Sequence, residues 1–232
     1  MFRTLTTRTS TSLSRSTFPR AQRILAPVVP LLNLTRTMAT EKQKTLTEAI
    51  KEDHEEMYEY YDLYQKAHGN ADAQERWARQ LIWEVARHAV GEEIVVYPLM
   101  EQYMGADGVK QADHDREEHQ GVKEMLSQLE SLTPASTNYS ELLKKVMDHL
   151  KHHNNDEEVK DLPVLEPLLG EERSRAAAKE FTRTKMFVPT RAHPSLPNRP
   201  PAETLAGFLV TPIDKLKDAF AKFPTEEMKN AA

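Results

Sequence analysis

The chain has 232 residues and no cysteine, with 31 Lys+Arg against 36 Asp+Glu and a formal net charge of −5. The absence of cysteine excludes a disulfide scaffold, a thiolate zinc site, Fe–S ligation and a cysteine nucleophile, and the near-neutral balance gives no ground for expecting a nucleic-acid binder. With 39% hydrophobic residues and only 7 glycines, this length suits one domain with appendages or two small ones.

Residues 1–40 differ from the rest. They hold six arginines (Arg3, Arg8, Arg15, Arg20, Arg23, Arg36), no lysine and no acid, and Ser and Thr crowd Thr4–Thr17. The first acid is Glu41, so beyond residue 40 there are 25 basic and 36 acidic residues, a net charge of −11. An Arg- and Ser-rich, acid-free N-terminus has the composition of a mitochondrial transit peptide, which directs the protein to the matrix. The apolar run Ile24–Leu34 is broken by Pro27 and Pro30 and is too short to span a bilayer. An uncleaved disordered tail is the plainer alternative, and a start at Met38 gives a cytosolic form.

The body, 41–185, reads as consecutive helices with apolar residues at three- and four-residue spacing. The first runs Leu46–His68, with Ile50, Met57, Tyr61 and Tyr64 on one face, and stops at Gly69-Asn70. The second covers about 72–104, with Trp77, Leu81, Val85, Val95 and Leu99 in phase. Gly105 and Gly108 flank the next turn. The third covers about 110–132 and the fourth about 139–169, and a further charged helix follows from Glu171 to about Lys185. The fold class expected is all-α: an up-down antiparallel four-helix bundle with an extra helix. Residues 186–232 contain seven prolines and are expected to be largely extended, with short amphipathic turns folding back on the bundle. A partner-binding or membrane-surface element is the alternative there.

The body repeats itself. His88–Pro98 and His153–Pro163 both read H-x-x-x-E-E-x-x-x-x-P, displaced by 65 positions. The same displacement carries Asp53-His54 onto Glu118-His119, and Met57, Tyr61 and Tyr64 onto Val122, Leu126 and Leu129. The bundle is therefore a duplicated helical hairpin.

His88 and Glu92, like His153 and Glu157, are four apart and share the apolar face of their helix. His54 and His119 sit on apolar stripes of their own. Four imidazoles and two carboxylates thus enter one core, where an unpaired carboxylate is costly and calls for a metal, a cation or a proton. Without thiolate, iron, manganese and zinc are all admissible. For two six-coordinate ions, four terminal imidazoles, Glu92 and Glu157 as bridging carboxylates and a bridging oxide or hydroxide leave two positions for a small ligand such as dioxygen. Singly, each such histidine is more often a satisfied core residue and each H-x-x-x-E a surface pair. The repetition of the whole set at identical offsets favours the metal.

His54, His88-x-x-x-Glu92, His119 and His153-x-x-x-Glu157, with E-x-x-x-x-P following in each half, resemble the hemerythrin-like, cation-binding HHE domain across about residues 45–170. The tail from Phe181 resembles the extension of fungal members. The resemblance implies metal ligation by His54, His88, Glu92, His119, His153 and Glu157. It also implies two iron ions joined by an oxo or hydroxo bridge, and roles in dioxygen binding, iron storage or sensing, and nitric-oxide or redox defence.

The oxygen carriers of that family have a fifth histidine four residues before the one matching His119, where this chain has Asp115. His114 lies nearby but off that face unless the helix bulges, so either residue is a candidate to complete the site. Reversible oxygen carriage is accordingly in question. The ferritin-like E-x-x-H pair is absent, since no acid lies three residues before any of the 9 histidines.

Glu93 and Glu158 are placed either as hydrogen-bond partners of a neighbouring imidazole or on a solvated helix edge. His149, one turn before His153, faces either the site or, more simply, solvent, and His68, His152 and His193 are read as surface. Three functions are compatible with these residues: a metal-binding module handling dioxygen, nitric oxide or iron; a di-iron enzyme acting on peroxide or a small substrate; and a metal-free helical adaptor acting through its tail.

Overall fold

A computed structural model describes residues 43–232. The targeting segment expected over 1–40 lies outside the described residues. All regular structure within them is helical: α1 Leu46–Lys66, α2 Ala71–Tyr103, α3 Gly105–Leu129, α4 Thr137–Asp156, a π-helical turn Glu157–Asp161, α5 Leu162–Thr184, α6 Ala202–Asp218 and α7 Glu226–Asn230.

Local chemistry sets the helix ends. Thr45 and Glu48 form a reciprocal capping box at α1, with Thr45 Oγ1 accepting from the Glu48 amide at 3.2 Å and Glu48 Oε2 from the Thr45 amide at 2.8 Å. Asn70 caps α2 through the Ala73 amide, and Ser136 caps α4 through the Tyr139 amide. Gly69 turns the chain between α1 and α2 with a φ of 87°.

The α2–α3 corner is tighter than the sequence suggests. Only Met104 separates the two helices, so α3 starts about one turn earlier than expected. Gly105 reverses the chain with a φ of 66°. Gly108, expected to flank the turn, lies inside α3 instead and rests against the Met100 carbonyl, where a Cβ would stand 2.1 Å from the oxygen.

Helices α1, α2, α3 and the α4–α5 run pack as a bundle, and α4 continues through the π turn into α5. Gly170 interrupts α5 with a φ of 71°, a kink at the position where a further helix was expected to begin.

Two apolar clusters form the core. Met57, Leu81, Val85, Leu126, Leu143 and Leu150 belong to one, and Ile50, Val96, Met100, Leu162, Leu165 and Phe181 to the other. Each rod passes from one cluster to the other, and each places its polar residues in between: His54 between Ile50 and Met57, His88 and Glu92 between Val85 and Val95, His119 between Ala112 and Val122, and His153 and Glu157 between Leu150 and Leu162.

The tail departs from expectation. It folds into the 17-residue α6, and the apolar residues Leu205, Phe208, Leu209, Ile213 and Leu216 are exposed instead of covering the bundle. The inward side of α6 is polar, and that side makes the attachments. Phe223 does turn inward, with its ring edge against Trp83.

Candidate metal centre

The six residues singled out by the repeat converge. His54, His88, Glu92, His119, His153 and Glu157 are all at most 2% exposed. His54 Nε2 lies 3.2 Å from His88 Nε2, and His119 Nε2 lies 3.0 Å from His153 Nε2. The Glu92 carboxylate stands between the two pairs, with Oε1 3.0 Å from His88 Nε2 and Oε2 3.5 Å from His119 Nε2. Glu157 Oε2 is 3.5 Å from His54 Nε2. Two groupings have ligand atoms within 4.8 Å of one another: His54, His88, Glu92 and Glu157, and Glu92, His119 and His153. Glu92 belongs to both.

Every imidazole is held from behind by a carboxylate. His88 Nδ1 bonds Asp53 Oδ2 at 3.1 Å and His153 Nδ1 bonds Glu118 Oε2 at 2.8 Å. His54 Nδ1 bonds Glu158 Oε1 at 2.8 Å and His119 Nδ1 bonds Glu93 Oε1 at 3.1 Å. An ionised carboxylate only accepts, so each Nδ1 carries the hydrogen and each Nε2 turns a lone pair inward. Lysines neutralise three of these carboxylates: Lys185 at Asp53, Lys123 at Glu93 (2.7 Å) and Lys51 at Glu158 (3.0 Å).

Glu93 and Glu158 therefore take the imidazole-bonding role and not that of a solvated edge. The repeat had paired Asp53 with Glu118 as neighbours of His54 and His119, but it did not show that each serves a histidine on the next helix. That conserved offset of an acid before a histidine was the available signal. Tyr97 carried no signal, since its repeat partner is Leu162. It is fully buried, and its hydroxyl lies 3.1 Å from His119 Nε2.

The two histidine pairs have different surroundings. His88 packs edge-on against Phe181, with centroids 5.7 Å apart, and Ile50 occupies the position equivalent to Asp115. On the other side are Tyr97 and the buried Asp115, whose Oδ1 is 3.9 Å from His153 Nδ1. His114 does not reach the centre. Its side chain is 65% exposed and approaches Glu118 at 3.9 Å, because five residues of helix turn it away from the His119 face. His152 is exposed as expected. His193 is not a surface residue: it is half-buried and its Nε2 bonds Asp214 at 2.9 Å, anchoring α6. His149 is half-buried and belongs to neither grouping.

The electrostatics record the crowding of charge. Burial alone would lower the His88 pKa, but Glu92 and Asp53 outweigh it and hold the ring up to about 9. Burial lowers its partner His54. In the other pair burial takes His119 down to about 4, while Glu118 and Glu92 raise His153 against burial. Burial, with the charge of Glu92 beside it, pushes Glu157 well above the carboxylate range. Burial likewise raises Asp115 to about 7.

A metal fits this donor set. Neither oxygen of Glu92 nor of Glu157 has a hydrogen-bond partner, although all four are buried. Such atoms cost of order 1–3 kcal/mol each unless something positive meets them. Four inward lone pairs from imidazole add the nitrogen donors that iron, manganese or zinc accepts alongside oxygen.

Residues 45–165 match the family described as hemerythrin HHE cation binding domain. An uncharacterized hemerythrin-like protein of Schizosaccharomyces pombe is 46% identical over 183 residues, 79% of this chain and 90% of that protein. A DNA nickase of Nostoc is 24% identical over 156 residues, which span 67% of this chain and 43% of that protein. No solved structure matches. With its repeated histidines and glutamates lining one buried centre, the chain belongs to the hemerythrin HHE cation-binding family, as a hemerythrin-like protein of the fungal type.

Proposed function

We propose that His54, His88, Glu92, His119, His153 and Glu157 hold a pair of iron ions, through which the protein handles dioxygen, nitric oxide or iron itself. The observation that carries this reading is the set of four buried carboxylate oxygens without hydrogen-bond partners, placed among four imidazoles whose Nδ1 atoms are already engaged. Glu92, within reach of both histidine pairs, is the residue suited to join two ions, and Glu157 supports it from the His54 side. Bound iron would supply redox chemistry and positions for a small diatomic ligand.

The chain's own residues favour the His119–His153 side for that ligand. Tyr97 offers a hydroxyl there whose proton burial retains well above the usual phenol range. On the other side Phe181 and Ile50 provide only apolar contact. The proposed mitochondrial destination rests on residues 1–40 alone, and fractionation of cells expressing the tagged chain tests it.

The deciding measurement is metal content and the optical spectrum of the iron-reconstituted chain, with and without oxygen. About two irons per chain and an oxygen-dependent change in the near-ultraviolet and visible bands support the reading. A folded bundle that stays metal-free after reconstitution refutes it. Turnover of peroxide by the loaded protein would assign it to a di-iron enzyme instead.

Two substitutions refine the site. Tyr97→Phe is expected to keep the iron but to weaken azide, used as an anionic probe, by about tenfold, the worth of one hydrogen bond to a charged group. Azide affinity equal to wild type would remove Tyr97 from the ligand's surroundings. Asp53→Asn and Glu118→Gln release the histidine behind which each sits, and iron affinity measured by competition with a chelator should fall about 10- to 100-fold.

A further inference from the structure

Helix α6 lies on the protein with its polar side inward. Glu203, Gly207, Thr211 and Asp214 are buried, whereas Leu205, Phe208, Leu209, Ile213, Leu216 and the following Phe220 are 57–84% exposed. The attachment is specific. Asp214 accepts from the Thr190 amide at 3.2 Å and from His193 Nε2 at 2.9 Å. Asp218 accepts from Thr190 Oγ1 at 2.6 Å and from Arg191 Nη2 at 3.1 Å, and Thr211 Oγ1, 2.7 Å from the Gly207 carbonyl of its own helix, also lies 3.2 Å from the Phe187 carbonyl. Gly207 packs on Pro189, which a Cβ would meet at an ordinary contact distance of 3.4 Å. Exposed Phe187 and Met186 extend the same apolar surface.

The charges are sorted as well. At 100° per residue the outward apolar face spans somewhat less than half the helix, with Lys215 along one edge and Lys217 along the other. The three acids of this segment, Glu203, Asp214 and Asp218, all turn inward. The outward face is therefore apolar with two basic borders, although the body from residue 41 carries −11 overall. Lysines at such borders extend to lipid headgroups while their stems cover apolar surface. A second copy of the chain fits less well, because a two-fold pair of α6 faces would bring lysine borders against lysine borders.

We propose that α6 docks the protein onto an anionic phospholipid bilayer, its apolar face lying in the headgroup region and Lys215 and Lys217 meeting the lipid phosphates. Among the described residues no helix is long and apolar enough to cross a membrane, so the contact is peripheral.

Flotation of the full-length chain with vesicles of phosphatidylcholine, with and without phosphatidylglycerol, tests this. The wild type is expected to float with the anionic vesicles, less so at raised salt, and hardly at all with neutral ones. The double variant Leu209→Asp/Leu216→Asp should lose at least about tenfold in partitioning, and Lys217→Ala about fivefold, while helical content and bound metal stay unchanged. The arginines of residues 1–40 also attract anionic lipid, so partitioning that the α6 variants leave intact overturns the proposal and assigns binding to that segment. Absence of wild-type flotation, or equal flotation with neutral vesicles, overturns it too. Concentration-dependent dimers that the double variant abolishes, in a protein that ignores vesicles, would assign the face to a second copy.

Discussion

Glu92→Ala is expected to empty both halves of the centre, and Glu157→Ala mainly the half built on His54 and His88. The difference follows from position. Glu92 lies within 3.0 Å of His88 Nε2 and 3.5 Å of His119 Nε2, whereas Glu157 approaches His54 at 3.5 Å and groups with that pair only. Iron per chain, measured after reconstitution and removal of excess metal, should fall from about two to near zero for Glu92→Ala and to about one for Glu157→Ala. His152→Ala, whose side chain is 72% exposed, should retain full loading. Equal loss from all three would mean that the inward face has been misidentified.

Glu157→Ala should move stability in the opposite direction. In the metal-free protein Glu157 is a buried carboxyl whose oxygens lack hydrogen-bond partners, so replacing it removes a desolvation cost of order 1–3 kcal/mol. Metal-free Glu157→Ala should therefore melt above the metal-free parent, even though it binds less iron. A variant that loses metal and also unfolds would point to a structural role for the carboxylate.

Gly108→Ala is expected to be the most damaging single methyl in the bundle. Its Cβ would stand 2.1 Å from the Met100 carbonyl oxygen and 2.7 Å from the carbonyl carbon. Backbone atoms cannot rotate away as a side chain can, so the α2–α3 corner must open. A loss of about 3 kcal/mol or more is expected, which for a chain of this size lowers Tm by roughly 6–12 °C. Gly121→Ala, in the same helix, is the control. Its Cβ meets only His149 Cε1 at 4.0 Å, and the gain in helix propensity of up to about 1 kcal/mol should raise Tm slightly. Thermal unfolding of the two variants side by side separates steric exclusion from glycine's intrinsic flexibility. Similar Tm values would refute the close approach at Met100.

Much of this protein is legible in its sequence. Apolar spacing and Gly69-Asn70 locate α1, α2 and the start of α4 within a few residues, because these are local effects within one or two turns, whereas the fourth helix expected to run to 169 is interrupted by the π-helical turn Glu157–Asp161. The 65-residue repeat identifies which histidines and glutamates face inward, since a polar residue recurring on an apolar stripe is expensive to bury without purpose. The sequence also separates a basic, acid-free stretch, residues 1–40, from an acidic remainder.

Contacts between helices are another matter. Periodicity states which face a residue occupies, not which helix stands opposite, so the pairing of His54 with Glu158, 104 positions away, required the folded bundle. Tyr97 entered the centre for the same reason, since its repeat partner is Leu162. The repeat implies two equal halves apart from Asp115 opposite Ile50, and packing added Phe181 on one side and Tyr97 on the other. The orientation of α6 was undecidable from its amphipathic pattern alone, because burial of an apolar face is the usual outcome. Here Asp214, Asp218 and Thr211 find specific partners in the segment from Phe187 to His193 that follows α5, those hydrogen bonds hold the polar side inward, and tertiary structure leaves the apolar side exposed.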